Sequence, residues 1–174
     1  MKKVLNKTAV AVILNKKIPD DYEKLYKKII YSTAWQESCF RQFHTKKNKL
    51  VYLRSYNGSS VGLMQINERV WRGIYDINRL RWDIHYNANA GCEIAATYFR
   101  RYVLKRISQI ESLNKTAIAG IVYAMYNGGP SQFNKYLVRL KNNQFHLSDR
   151  LFKEKYDWVV NNQWEFINRC LIVG

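Results

Sequence analysis

Glu37 is the residue best placed for acid–base chemistry, because it continues the apolar stripe of a predicted helix. Apolar residues recur every three or four positions from Tyr22 to Ala34, and Glu37 is the next position on the same face. A carboxylate there loses hydration of its charged form, so its pKa should rise and it can hold a proton near neutral pH. A general acid needs this property. Periodicity alone leaves an equal alternative, in which the helix ends before Glu37 and the side chain turns to solvent.

A second carboxylate that would support two-acid chemistry is not evident. Asp76 and Asp83 are the candidates, but each lies among arginine and aromatic residues in the sequence. A surface ion pair is the simpler interpretation of both.

The three cysteines, Cys39, Cys92 and Cys170, are widely spaced and form no C-x-x-C pair. This argues against a zinc site or a redox motif. They allow one disulfide and leave one thiol over, a count that fits a reducing or an oxidising compartment. We expect no metal and no cofactor.

Three short segments carry a family resemblance: Gln36–Ser38 (Q-E-S), Gly62–Asn67 (G-L-M-Q-I-N) and Tyr126–Pro130 (Y-N-G-G-P). Each is weak alone, but in this order and at these spacings they resemble the lytic transglycosylase (SLT) domain of the lysozyme-like superfamily. The resemblance covers about residues 18–136, and Asn87 and Gly91 also fall where the family has Asn and Gly.

The resemblance implies an enzyme that cleaves the β-1,4 bond between N-acetylmuramic acid and N-acetylglucosamine in peptidoglycan. Glu37 would protonate the glycosidic oxygen while the substrate's N-acetyl group assists at the anomeric carbon. Glu37 would then remove the proton of the C6 hydroxyl, which closes a 1,6-anhydro ring without consuming water.

The resemblance also implies roles for further residues of these motifs. Gln65 resembles the family's sugar-contacting Gln, while Tyr126 and Asn127 resemble the pair that lines the cleft beside the acid. A tyrosine hydroxyl there could also tune the protonation of Glu37. Ser38 more simply ties down the helix end.

Two substrate-binding positions carry over less directly. The family's Ser upstream of Gly-Leu-Met-Gln matches Ser55 only if one residue is inserted, so Ser59 and Ser60 compete with Ser55 for that role. Asn67 replaces an apolar residue of some members, which puts the shape of that subsite in doubt.

The predicted fold is mainly α, a lysozyme-like α+β helical bundle around a buried central helix, with a small irregular or β segment flanking the substrate cleft. We expect one domain over residues 1–174, with a motif-bearing core at about 18–136 and a helical extension at 137–174. The predicted helices begin at Pro19 and then span 87–106, 115–125 (apolar nearly all round, hence central), 133–140 and 148–171; a short strand is predicted at 50–53 and a turn at 56–60.

Two features inside these elements have structural interpretations. Gly91 should let a neighbouring helix approach closely. Trp71, Tyr75 and Trp82 form an aromatic stretch whose irregular spacing suggests loops and short helices, and ordinary packing is favoured over a sugar site.

Charge and composition bound the partners. The chain has 29 Lys and Arg against 13 Asp and Glu, a net charge of +16, which should attract polyanions such as nucleic acid, anionic lipid or cell-wall polymers. The 47% hydrophobic fraction excludes a disordered chain. No stretch is long enough to span a membrane, and the apolar run at 8–14 is a poor signal peptide. We therefore favour one domain of a longer exported protein, periplasmic or cell-wall associated.

Peptidoglycan glycan strands are the expected partner, with anionic cell-wall polymers as further candidates and a monomer as the expected state. Two alternatives remain open at this point. One is a lysozyme-type muramidase of the same fold, which delivers water in place of the C6 hydroxyl. The other is a non-catalytic module that uses its basic face to bind a polyanion or the wall. No nucleic-acid-binding motif supports specific nucleic-acid recognition.

Overall fold

Helix α7 (Lys115–Gly128) lies at the centre of the fold, which confirms the predicted buried central helix. Every residue from Ala117 to Met125 is buried, and helices of both flanking layers pack around it. The computed structural model describes residues 1–171, the last of them by its backbone alone. Within that range the protein is mainly α with small antiparallel strand pairs, as predicted. The helices packed around α7 are α2 (Asp20–Ser38), α5 (Ile84–Tyr98), α8 (Gln132–Asn142) and α9 (Leu147–Val160).

Helix α2 reaches Ser38, so Glu37 lies in its last turn and the alternative of an earlier helix end is wrong. The helix begins after Pro19, and three acids lie in its first turn, where unpaired N–H groups favour negative charge. It ends where Cys39 adopts the left-handed conformation with φ 52°, and the Cys39 N–H donates to the carbonyl of Trp35 at 3.0 Å. Glu37 is thereby held on a rigid helix rather than on a loop.

A first helix, α1 (Lys2–Lys16), precedes the predicted elements. Its buried side chains Leu5, Ala9, Val12 and Ile13 recur at helical spacing and pack on α5 and α2. The apolar run at 8–14 belongs to this helix. None of the helices in the described residues is long and apolar enough to cross a membrane.

The predicted irregular or β segment is built from two small antiparallel hairpins. Strands β1 (Phe43–Lys46) and β2 (Lys49–Tyr52) pair with Phe43 opposite Tyr52, and β3 (Ser60–Val61) pairs with β4 (Ile66–Asn67). The second hairpin encloses the Gly-Leu-Met-Gln motif, so this motif lies in a tight loop.

Two predicted helix boundaries are wrong. The helix expected at 87–106 begins at Ile84, capped by Asp83, and after Tyr98 it changes into a π-helical turn and then a 3₁₀ turn. The helix expected at 148–171 is interrupted after α9, because Asn162 takes the left-handed conformation with φ 57°. The remaining short elements are α3 (Glu68–Trp71), α4 (Ile77–Trp82), π turn (Phe99–Val103), 3₁₀ turn (Leu104–Arg106), α6 (Ile107–Ile110), 3₁₀ turn (Trp164–Phe166) and α10 (Ile167–Leu171).

One disulfide joins the end of α2 to α10. It links Cys39, two residues after Glu37, to Cys170, and Cys92 is a buried free thiol. The cysteines therefore divide as the odd count requires, into one bridge and one thiol.

Candidate active site

Glu37 is half-buried at the end of α2, and its Oε1 accepts a hydrogen bond from the hydroxyl of Tyr123 at 3.0 Å. Burial raises the pKa of Glu37 to about 7, although the hydrogen bond from Tyr123 works in the opposite direction. Near neutral pH the carboxyl therefore exists in both protonation states. This suits a group that first gives and then takes a proton.

The carboxyl of Glu37 faces a cleft, and most of the predicted site residues line this cleft. Gln65, Asn67, Tyr126 and Asn127 line it together with Glu37. Among the described residues that line this cleft, Glu37 is the sole carboxylate. The other lining residues are Ser60, Ile66, Trp71 and Ile94.

Of the three competing serines, Ser60 lines the cleft and Ser55 does not. The Ser55 hydroxyl donates to Oδ1 of Asn57 at 2.9 Å and accepts from the N–H of Ser60 at 3.0 Å. The Ser59 hydroxyl also donates to Asn57, at 2.7 Å. Ser55 and Ser59 thus stabilise the turn that places Ser60 at the cleft.

The tyrosine hydroxyl that contacts Glu37 belongs to Tyr123, whereas the sequence pointed to Tyr126. The hydroxyl of Tyr126 donates to the carbonyl of Met64 at 2.7 Å, so Tyr126 lines the cleft with its hydroxyl already bonded. Tyr123 lies about one turn earlier on α7 and is buried. In the sequence, the available signal for Tyr123 was that it lies about one helical turn before Tyr126.

Gln42, a residue that the sequence analysis did not single out, holds the Gly-Leu-Met-Gln loop. Its Oε1 accepts from the N–H of Leu63 at 2.7 Å, and its Nε2 donates to the carbonyls of Leu80 at 3.0 Å and Arg81 at 2.8 Å. The side chain is 2% exposed. A buried amide with this many partners fixes the loop relative to α4.

Asn87 holds the same loop from α5. Its Oδ1 accepts from the N–H of Met64 at 2.8 Å, and its Nδ2 donates to the carbonyls of Val61 at 3.0 Å and Leu80 at 2.9 Å. Gly62 has φ +77°, and a Cβ there would lie 2.3 Å from Nδ2 of Asn87. Glycine is thus required at position 62 by backbone conformation and by space.

Gly91 permits a close approach, but of the loop rather than of a helix. A Cβ at this position would lie 2.5 Å from Cβ and Cγ of Met64. Ser38 also reaches the loop, because its hydroxyl donates to the carbonyl of Leu63 at 2.6 Å and accepts from the N–H of Arg41 at 3.1 Å. The expectation that Ser38 ties down the helix end is confirmed, and the same bond fixes α2 to the loop.

Two cleft residues are partly engaged within the protein. Gln65 has φ 47°, and its Nε2 donates to the carbonyl of Gly62 at 2.8 Å. Oδ1 of Asn67 accepts from the N–H groups of Arg69 and Val70, at 3.0 and 3.2 Å, and so caps α3. Asn67 in place of an apolar residue therefore has a structural function in this chain.

Asp76 and Asp83 lie outside the cleft lining. Each caps a helix, and Asp83 also forms the expected ion pair, at 3.1 Å with Arg79. The ion pair expected of Asp76 is wrong for the described residues, where its carboxylate instead accepts the N–H of Arg79. Hydrogen bonds from the backbone, first that of Tyr86, lower the pKa of Asp83. In residues 1–171 no group of three or more His, Cys, Asp or Glu side chains is arranged to hold a metal ion.

The aromatic stretch divides between the cleft and ordinary packing. Trp71 lines the cleft, and the hydroxyl of Tyr75 donates to Glu93 at 3.1 Å. Trp82 stacks on Phe43 and meets Tyr52 edge to face, at centroid distances of 6.1 and 5.2 Å. The predicted preference for packing therefore describes Trp82, and Trp71 packs against the core while it also lines the cleft.

Comparison with known proteins identifies the family of the chain. The model of the "Transglycosylase SLT domain" family matches residues 17–147, about three quarters of the chain. No curated protein and no solved structure matches the chain. The match includes all three motifs and both loop-holding amides. The chain belongs to the transglycosylase SLT domain family, and this membership supports a lytic transglycosylase-type activity on peptidoglycan.

Proposed function

We propose that the chain is a peptidoglycan lytic transglycosylase that cleaves the β-1,4 bond between N-acetylmuramic acid and N-acetylglucosamine and leaves 1,6-anhydro ends. The observation that carries this proposal is the isolated carboxyl of Glu37, half-buried, facing the cleft and with a pKa of about 7. Hydrolases that act with two carboxylates need the second one within about 10 Å of the first, across the scissile bond. Among the described residues the cleft lining supplies none.

Glu37 acts in both steps of the proposed reaction. Protonated Glu37 donates its proton to the glycosidic oxygen, the bond to the anomeric carbon breaks, and the positive charge there is stabilised by the sugar's own N-acetyl group. The resulting carboxylate takes the proton of the C6 hydroxyl, whose oxygen bonds to the anomeric carbon. Glu37 is thereby protonated again, and water is neither consumed nor released.

Tyr123 supports the first step, because it stabilises the carboxylate that this proton transfer forms. Its hydroxyl hydrogen bond favours the charged form of Glu37, which exists after the first proton transfer. Burial favours the neutral form, which the first transfer needs. The balance of the two effects leaves the pKa of Glu37 at about 7, so the same group can be the acid of the first transfer and the base of the second.

The substrate is bound by the polar side chains of the cleft. We assign sugar contacts to Gln65, Asn67, Tyr126 and Asn127, and we assign to Ser60 the role expected of Ser55, because Ser60 lines the cleft. Asn127 is exposed, so its amide is available to a ligand.

Product analysis tests the reaction type. Purified sacculi are digested, and the muropeptides are examined by mass spectrometry before and after borohydride reduction. A transglycosylase gives ends that are lighter by one water and resist reduction. Reducible ends would show the muramidase reaction and contradict the proposal.

The Glu37→Gln variant separates an enzyme from a binding module. Glutamine keeps the shape of the side chain but cannot donate or accept the proton, so turnover should fall by at least about a thousandfold while binding to sacculi persists. Turnover that survives this substitution would rule out the assignment of Glu37.

We also propose that the protein acts outside the cytoplasm, in the periplasm or at the cell wall. Its family acts on peptidoglycan, and the Cys39–Cys170 disulfide is of a kind that persists in oxidising compartments. The same disulfide supports one domain that includes the helical extension. So does Trp35, which stacks on Trp164 and contacts Trp158, at centroid distances of 5.7 and 5.3 Å.

A further inference from the structure

A second depression with aromatic walls adjoins the cleft beside α5. Trp71 lines both the cleft and this depression, whose other aromatic side chains are Tyr75, Tyr98 and Tyr102. We call it the aromatic groove. Glu93, its sole acid among the described lining residues, lies 4.0 Å from Lys16 and accepts the hydroxyl of Tyr75, so its charge is compensated.

The aromatic groove leads in turn into a pocket whose charged residues are all cations. Lys16, Thr97 and Arg101 line both the groove and this pocket. As far as the structure describes the chain, no acidic side chain lines the pocket. The cations of this basic pocket are Lys16, Lys17, Arg100, Arg101 and Lys105.

Most of these cations form no ion pair with the described residues. Lys16 approaches Glu93, but no carboxylate of residues 1–171 lies within 4.0 Å of the other four cationic groups. Positive charges gathered around a concave surface attract anions. The pocket therefore has the charge and the shape of an anion-binding site.

Local backbone structure presents two of the arginines together. Arg100 and Arg101 are consecutive residues of the π-helical turn Phe99–Val103, and both line the pocket. The flanking Phe99 and Val103 are buried in the core. The turn is thus anchored on both sides while its two guanidinium groups remain exposed, and π turns of this kind are frequent at functional sites.

The distance from the cleft to the pocket suits a short peptide. Ile94 lines the cleft, and residues from Ala96 to Lys105, further along the same helical segment, line the basic pocket. A helical rise of about 1.5 Å per residue puts the far wall of the pocket, at Lys105, about 16 Å from Ile94, and the near wall, at Ala96, much closer. An extended peptide covers about 3.5 Å per residue, so a peptide of up to about five residues reaches across the pocket.

We propose that the basic pocket binds the carboxylates of the stem peptide carried by a muramic acid residue in the cleft. This inference rests on the proposed function, since the peptide reaches the pocket only when its sugar occupies the cleft. The shared residues Trp71 and Arg101 favour this ligand over an unattached anionic polymer, because a separate polymer would need no path to the cleft. The enzyme would therefore prefer glycan strands that retain their peptides.

A comparison of two substrates tests the proposal. Glycan strands with intact stem peptides and strands from which an amidase has removed them are digested by the wild type and by the triple variant Arg100→Gln, Arg101→Gln, Lys105→Gln. Exposed ion pairs contribute little singly, but two or three together amount to about a tenfold effect. We expect kcat/KM of the wild type to be about tenfold higher on peptide-bearing strands, and this ratio to fall to about one in the variant.

A matched variant removes the same charge elsewhere: Lys24→Gln, Lys135→Gln, Lys141→Gln, at exposed positions outside the cleft, groove and pocket. It should keep the wild-type ratio. Equal ratios in both triple variants would overturn the proposal. A pocket variant that keeps its ratio but loses binding to poly(glycerol phosphate) would overturn it in favour of a phosphate polymer.

Peptide binding is also read without turnover, by NMR titration of the proteins with the amidase-released stem peptide. Weaker binding by the pocket variant than by the matched variant supports the site, and equal binding contradicts it. Peptide binding by a wild type that cleaves neither substrate would contradict the proposed function but retain the peptide site. The two failures are therefore distinguishable.

Discussion

Tyr123 donates its hydroxyl hydrogen bond to Oε1 of Glu37 across 3.0 Å, and this bond opposes the effect of burial on the same carboxyl. Burial raises the pKa of Glu37 because the charged form loses hydration, whereas the bond favours the charged form. The two residues are 86 positions apart in the chain and belong to α2 and α7. The protonation of the acid is thus set by the packing of these two helices.

Replacement of Tyr123 by phenylalanine should raise the pKa of Glu37 further. Activity of the wild type falls as pH rises through about 7, because Glu37 must be protonated to donate. In Tyr123→Phe this alkaline limb moves to higher pH, and kcat falls about tenfold because the carboxylate formed after proton transfer loses a hydrogen bond. The pH dependence of kcat on sacculi measures both effects.

Tyr31→Phe is the matched control, since the Tyr31 hydroxyl bonds to Asn6 and lies outside the cleft lining. It should leave the alkaline limb in place. A limb that moves to lower pH in Tyr123→Phe would show that the bond favours the neutral acid.

Glu37→Gln should stabilise the folded protein, and only at higher pH. The pKa of Glu37 is about 7 in the folded protein against an ordinary value of 4.5, so between these values the unfolded chain loses the proton while the folded protein keeps it. The free energy of unfolding of the wild type therefore falls as pH rises from 4.5 to 7, by at most about 3 kcal/mol. Glu37 is half-buried, and solvent screening reduces this figure.

Urea unfolding of both proteins at pH 4 and pH 8 checks the linkage. Below 4.5 both states of the wild type carry the proton, so the two proteins should be equally stable. At pH 8 the variant should be the more stable one, which is a trade of stability for function at the acid. A difference that is the same at both pH values would mean that the shifted pKa is not its cause.

Local patterns were sufficient to predict α2 and the central helix α7, although not that α2 extends as far as Glu37. Both depend on periodicity within one segment, and α7 is marked by its apolar character on all sides. The same periodicity was present in α1, through Leu5, Ala9 and Val12, but interspersed lysines and asparagines obscured it. Patterns over short stretches of sequence therefore indicate where the helices lie.

The long-range contacts that complete the site could not be predicted from such local patterns. Gln42 bonds to Leu80, 38 positions away, and Tyr123 to Glu37, 86 positions away. The sequence around each residue does not indicate its partner, because such contacts form only when distant helices and loops pack together. The choice of Ser60 over Ser55 likewise depends on the geometry of one turn.

Gly91→Ala tests how tightly α5 holds the Gly-Leu-Met-Gln loop. The new Cβ would lie 2.5 Å from Cβ and Cγ of Met64, so the loop must shift. Overpacking of this kind costs about 1–3 kcal/mol, against a gain of about 1 kcal/mol in helix propensity. We expect a net loss of stability and, because Gln65 follows Met64, a loss of activity larger than the loss of folded protein.

Gly73→Ala is the corresponding control, since nothing lies within 4 Å of a Cβ built there. Its unfolding midpoint and kcat/KM should stay close to those of the wild type. If Gly91→Ala were as active and as stable as Gly73→Ala, Met64 would have room to move and the loop would not be fixed by α5.

The Cys39–Cys170 disulfide should supply a large share of the stability, because it closes a loop across 131 positions of sequence. Loss of a crosslink over so long a loop costs about 2–5 kcal/mol, equivalent to about 10 °C in Tm for a chain of this size. Dithiothreitol should therefore lower the Tm of the wild type, while Cys39→Ser should melt at the lower temperature with or without reductant.

The unfolded, unreduced wild type should react with one equivalent of a thiol reagent, at Cys92, because the other two cysteines are bonded to each other. Three reactive thiols in protein purified from an oxidising compartment would contradict the crosslink, and would remove with it the covalent tie that holds the end of α2 two residues from Glu37.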